Sequence, residues 1–92
     1  MAKAAYAQSK RKPYYPKSLL RKKIEGAVKL TVSIDTQGKV TAVKLYKSSG
    51  YEAFDESALK SAKKWRYKPA LNGLGQPLSS QKVETIIFKI AP

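Results

Sequence analysis

Residues 48–70 constrain the fold more than any other stretch, because they read as an amphipathic helix that carries the only tryptophan of the chain. At about 100° per residue, Phe54, Ala58, Ser61, Ala62 and Trp65 fall within one stripe, while Glu56, Lys60, Lys63 and Lys64 lie opposite. One face is built for a core. Acidic Glu52, Asp55 and Glu56 sit in the opening turns and Lys63, Lys64, Arg66 and Lys68 at the close, which complements the helix dipole. Ser49 with Glu52 fits a capping box, whereas Asp55 is placed to cap a shorter helix, so two starts are open. Pro69 disfavours helical geometry at Lys68, and the helix is expected to end near Trp65. On this stripe Trp65 belongs in the core, with a partner for its indole N–H.

A sheet must receive that face. Val28, Leu30, Val32 and Ile34 alternate strictly with Lys29, Thr31 and Ser33, the pattern of a strand with one buried and one wet face. Asp35, Thr36, Gln37 and Gly38 form a turn, and a second strand follows. Val40 is out of phase with Val43 and Leu45, so a bulge near Thr41 and Ala42 is expected if all three face the core. Residues 70–77 hold Asn72, Gly73, Gly75 and Pro77 without a period and read as a surface loop. Residues 83–90 close the chain as a strand, with Ile86, Phe88 and Ile90 on one face and Val83, Thr85 and Ile87 on the other.

Ahead of the first strand, Pro16 suits a first helical position, and Leu19 and Leu20 offer an apolar patch to the domain. Arg21, Lys22 and Lys23 read as a solvated face. Residues 1–12 lack any hydrophobic period and are expected to be a flexible basic arm, dispensable for folding, ahead of one domain over residues 13–92. The fold class is α+β. A right-handed crossover through the helix puts the third strand beside the first, giving a three-stranded antiparallel sheet in the order second, first, third, packed on one face by two helices. The last strand is then an edge, with backbone groups free to pair with another chain.

Charge narrows the partners. Nineteen Lys plus Arg against six Asp plus Glu give a formal +13, which favours an acidic partner and makes nucleic acid the first class to weigh. Without Cys or His, a Cys/His zinc site and His-based catalysis are excluded. No cofactor or metal is expected. The six acids are scattered over a turn, a helix start and strand flanks, so no convergent acid/base pair is implied and the chain is not expected to be an enzyme. No apolar run approaches the ~20 residues of a membrane span.

Taken in order, Tyr15-Pro16, Ile24-Glu25-Gly26, the hairpin of Ile34-Asp35 and Gly38-Lys39-Val40, Ser48-Ser49-Gly50, Phe54-Asp55, Ala58, Trp65-Arg66-Tyr67, Pro69-Ala70 and Gly75-Gln76-Pro77 resemble the pattern of the TonB C-terminal domain. The resemblance runs over roughly residues 13–90, and its strength lies in order and spacing rather than in any one piece. Lys12 stands where some members of that family carry Gln, and Leu19 where a small residue is usual. The family's fold is the one derived above. Its activity, as the resemblance implies, is energy transduction across the periplasm of Gram-negative bacteria. ExbB and ExbD harvest the proton gradient with the full-length protein, and this domain grips outer-membrane TonB-dependent transporters for iron chelates, cobalamin or metals. An inner-membrane anchor and a proline-rich spacer belong to that family pattern and are not found in these residues, so an excised periplasmic domain is expected.

The resemblance and the derived strand order point to one edge. A receptor segment is expected to add as a strand along Val83, Glu84, Thr85, Ile86, Ile87 and Phe88, with auxiliary contacts from Lys12, Tyr14, Tyr15, Lys60 and Lys64. The alternative, a small basic nucleic-acid-binding module, would explain the charge and the tyrosines. Yet Tyr46 is the only aromatic clearly placed on the wet sheet face, and no strand carries paired stacking aromatics, so nucleic acid is not expected as the partner.

Overall fold

Nine residues, Gly26–Ile34, form the strand β2 that every other layer is built on. A computed structural model of the protein describes residues 1–91. Its elements in order are β1 (Tyr6–Ser9), α1 (Lys17–Arg21), β2 (Gly26–Ile34), β3 (Val40–Lys47), α2 (Glu52–Ala62), β4 (Arg66–Lys68), β5 (Ala70–Leu71), β6 (Pro77–Leu78) and β7 (Ser80–Phe88). The main sheet has three antiparallel strands in the order β3-β2-β7, with both neighbours of β2 antiparallel to it, as expected. Val28, Leu30 and Val32 are fully buried and Ile34 nearly so, and Phe54, Ala58 and Ala62 of α2 meet them with no exposure of their own. Trp65 is 1% exposed and follows the helix rather than ending it, because two turn residues, Lys63 and Lys64, come first.

Neither candidate cap stands at the start of α2, which opens at Glu52. Tyr51 occupies the cap position and offers no side-chain bond. The Asp55 carboxylate instead accepts from the Ser49 N–H at 3.0 Å, the Ser49 hydroxyl at 2.9 Å and the Ser48 hydroxyl, while the Ser49 hydroxyl accepts from the Tyr51 N–H at 3.1 Å. Burial would raise the Asp55 carboxyl, but these three donors outweigh it and hold it below the usual carboxylate value.

The expected bulge in β3 is present: Ser33 pairs with Ala42 and Ile34 with Val40, which leaves Thr41 as the extra residue. A second, unforeseen bulge lies at Tyr46, between the pairs Lys29–Lys47 and Leu30–Leu45. Leu45 shares the covered face with its partner Leu30 yet remains 43% exposed.

Four expectations are corrected. Residues 1–12 do not stand free: Tyr6, Ala7 and Ser9 pair with Lys68, Tyr67 and Arg66, Lys3 and Leu71 exchange two backbone bonds of 2.9 Å, and Ala5 is buried. What binds this segment is mainly backbone pairing, which side-chain composition does not reveal. Residues 70–77 are not structureless, since Ala70 and Leu71 pair with Leu78 and Pro77 around a turn in which Asn72 Oδ1 accepts from the N–H groups of Leu74 and Gln76. Leu20 is 45% exposed, so Leu19 alone anchors the five-residue α1. The last strand starts at Ser80 and ends at Phe88, because its bounds are those of its partner β2. Ile90 lies beyond it, held where its N–H donates to Glu25 Oε2 at 2.8 Å.

Candidate functional site

Of the two edges of the main sheet, only one is regular. β7 matches β2 residue for residue from Ser80–Ile34 to Phe88–Gly26 without a shift, and no described strand lies on its other side. β3, at the opposite edge, is interrupted by its two bulges and presents exposed Lys44 and Lys47, devices that blunt an edge against pairing. Side chains along β7 alternate as the sequence implies. Val83, Thr85 and Ile87 face the wet side, with Val83 51% and Ile87 70% exposed, while Ile86 and Phe88 are buried against the core.

Glu84 is turned to the core side and is already engaged there. Its carboxylate accepts from the Tyr67 hydroxyl and lies 3.6 Å from Lys10 Nζ. Burial, then the bond to Glu84 and its charge, push the Tyr67 phenol well above its ordinary value. Toward the C-terminal end of β7 the strand is fixed by rings. Phe88 stacks on Phe54 at 4.4 Å between centroids, and Tyr15 stands edge-on to both, at 5.7 and 5.5 Å. The Tyr15 hydroxyl donates to the Ile24 carbonyl, and burial followed by the charge of Glu25 pushes its phenol up. Tyr15 is thus a clamp between β7, α2 and the turn before β2.

Alongside this edge runs a strap, residues 10–14, tied to α2 and to Trp65 just beyond it by side chains spaced four apart. Ser57 Oγ donates to the Tyr14 carbonyl at 2.6 Å, while Ser61 Oγ at 2.7 Å and Trp65 Nε1 at 2.9 Å both donate to the Arg11 carbonyl. Lys10 Nζ lies 5.1 Å from the centre of the Trp65 ring, within cation–π range. The indole partner expected from the sequence is therefore the strap backbone. Between residues 10–13 of the strap and residues 86–89 of the edge a groove of ≈ 280 Å³ opens, also lined by Tyr15 and Trp65. A second groove of ≈ 200 Å³ lies against α2, lined by Arg11, Lys12, Tyr14, Ser57, Ser61, Lys60 and Lys64.

The residues singled out in the sequence divide accordingly. Ile86, Ile87, Phe88, Lys12 and Tyr15 meet in the first groove, and Tyr14, Lys60 and Lys64 join Lys12 in the second. Val83, Glu84 and Thr85 line neither. Sequence reasoning missed Lys10, Arg11, Pro13, Trp65 and Lys89 as groove residues. The signal was the basic run Lys10-Arg11-Lys12 directly before Pro13, set against hydroxyls at Ser57 and Ser61 on the helix. Among the described residues no group of three or more acidic, His or Cys side chains is placed to hold a metal ion, and no helix is long and apolar enough to cross a membrane.

Comparison with known proteins agrees with this geometry. Residues 11–90 match the family described as Gram-negative bacterial TonB protein C-terminal. The chain is 34% identical over 88 residues to Protein TonB of Vibrio cholerae, covering 96% of this chain and 36% of that protein. It is 39% identical over 61 residues to Protein tonB2 of Pseudomonas aeruginosa, covering 66% of this chain and 23% of the relative. The chain thus spans about a third or less of the length of these curated relatives. Among solved structures, the solution structure of the Pseudomonas aeruginosa TonB CTD superposes with a TM-score of 0.78 at 26% identity, over 96% of this chain and 88% of that one. The tonb2 protein from Vibrio anguillarum gives a TM-score of 0.67 at 27% identity, over 95% and 89%.

Proposed function

The chain belongs to the TonB C-terminal family, and from that premise we propose that it is the periplasmic, receptor-binding end of an energy transducer. In this reading the full-length protein is anchored in the inner membrane and works with ExbB and ExbD. The domain grips the N-terminal plug segment of outer-membrane TonB-dependent transporters, so that energy from the proton gradient drives uptake of iron chelates, cobalamin or metals. The role is mechanical. One observation carries it: β7 offers a regular, bulge-free edge, while the opposite edge is broken twice.

A peptide added beside β7 is held chiefly by main-chain hydrogen bonds, and such pairing tolerates varied side chains. That suits a domain serving several receptors. A strand pulled along its own direction loads its hydrogen bonds together in shear, so a modest interface resists traction. Ile86, Ile87 and Phe88 supply the open half of the edge, with Lys12 and Tyr15 across the groove. Val83, Glu84 and Thr85 extend the same pairing line. Titration with a peptide copied from the plug N-terminus of such a transporter, followed by backbone amide shifts, tests the reading. Shifts centred on residues 83–89 support it, and a domain unresponsive at large peptide excess refutes it.

A further inference from the structure

The second groove does not touch β7, yet it gathers four cationic side chains. Arg11, Lys12, Lys60 and Lys64 converge on it with no acidic side chain in its lining. Among the described residues the one ion pair is Lys10 with Glu84, so none of these four cations makes a close ion pair there. The strap carbonyls of Arg11 and Tyr14 already accept from Ser61, Trp65 and Ser57. What the opening offers a ligand is therefore positive charge. Lys60 is exposed on the last turn of α2 and Lys64 is exposed in the turn that follows it, and Arg11 and Lys12 line both grooves, so the cationic track continues across the strap from the β7 edge.

We propose that this groove holds an acidic peptide segment of the same partner, flanking the strand that docks on β7. The inference rests on the docking reading above and adds a second contact to it. A chain leaving the β7 edge toward the strap meets Arg11 and Lys12 first and Lys60 and Lys64 next, which asks for several Asp or Glu residues on one side of the docked strand. Linking the two contacts makes the second effectively intramolecular, so individually weak exposed pairs add to the grip. A nucleic acid fits the groove less well, because Tyr14 is its single aromatic and the opening is only ≈ 200 Å³, with no succession of stacking platforms.

The test compares a strand-only plug peptide with the same peptide extended by four acidic residues at either end, on the whole 92-residue chain and on a Lys60→Gln, Lys64→Gln double variant. For the unaltered chain one extended peptide should bind about tenfold tighter than the strand-only peptide, as several exposed pairs of a few-fold each would produce. Amide shifts should then appear at Lys60 and Lys64 as well as at residues 86–89. The ratio of the two affinities should shrink toward one in the double variant and also in high salt, where such pairs are screened. Equal affinities of both extended peptides and the strand-only peptide, with β7 shifts intact, overturn this inference and leave the docking reading standing. An advantage that survives in the double variant overturns it too. Failure of every peptide to shift β7 overturns both. A mixed-sequence oligonucleotide that displaces the extended peptide at about 0.15 M salt would give the groove to nucleic acid instead.

Discussion

Gly38 has φ 82°, and a Cβ built there would lie 1.8 Å from the Tyr67 carbonyl oxygen. Its own carbonyl accepts from the Tyr67 N–H at 2.9 Å, so the β2–β3 turn is bolted to β4 at a point where no side chain fits. Gly38→Ala should therefore cost more than the ~1–2 kcal/mol that left-handed backbone alone imposes on an L residue, as chemical denaturation would read. The turn was legible from Asp35 and Gly38, because both residues have local reasons to be there; the contact with Tyr67 was not, because it joins positions far apart in the chain. Asp55 gives a second expectation. Its carboxyl is held below the ordinary 3.8, so the stability it adds is complete above that value and is lost as pH falls below it. Replacing it by Asn should weaken the domain at neutral pH and flatten the decline that sets in as pH falls below about 4, compared with the unaltered chain in thermal melts.

Elements of strong internal period were read from the sequence with their faces correct. β2 and α2 carry their own pattern, and Val40 out of step announced the bulge at Thr41. Elements held by backbone pairing alone were missed: β1, β4 and the β5–β6 hairpin are two to four residues long and too short to show a period. β1 shows the consequence. Removing residues 1–9 strips the partner of β4 and exposes Tyr67 and its surroundings. The melting temperature should fall by several degrees, given that about 1 kcal/mol moves the midpoint of so small a domain by roughly 4–8 °C. An unchanged midpoint would mean that β1 contributes nothing to stability. For β7, proline placed in turn at Thr85, Ile86 and Ile87 separates the two parities of the strand. Where the N–H points away from β2, the fold should persist and peptide affinity should collapse; where it points toward β2, the domain itself should weaken.

At the scale of the whole molecule, the regular edge, the strap and the basic face of α2 form one continuous surface on one side of the sheet. The sequence showed the edge, because strand order follows from the crossover rule, and it showed Lys60 and Lys64 as an exposed face. It did not show that residues 10–14 lie between them, because that placement depends on three side-chain donors meeting two carbonyls more than forty residues away. Strand addition at β7 is the central claim, and intermolecular nuclear Overhauser contacts between a bound plug peptide and the labelled domain test it most directly. Contacts from the peptide backbone to every second residue along residues 84–88, in a single register, are the predicted result. Peptide contacts that run instead along β3 or α2, with none to the backbone of β7, would contradict it.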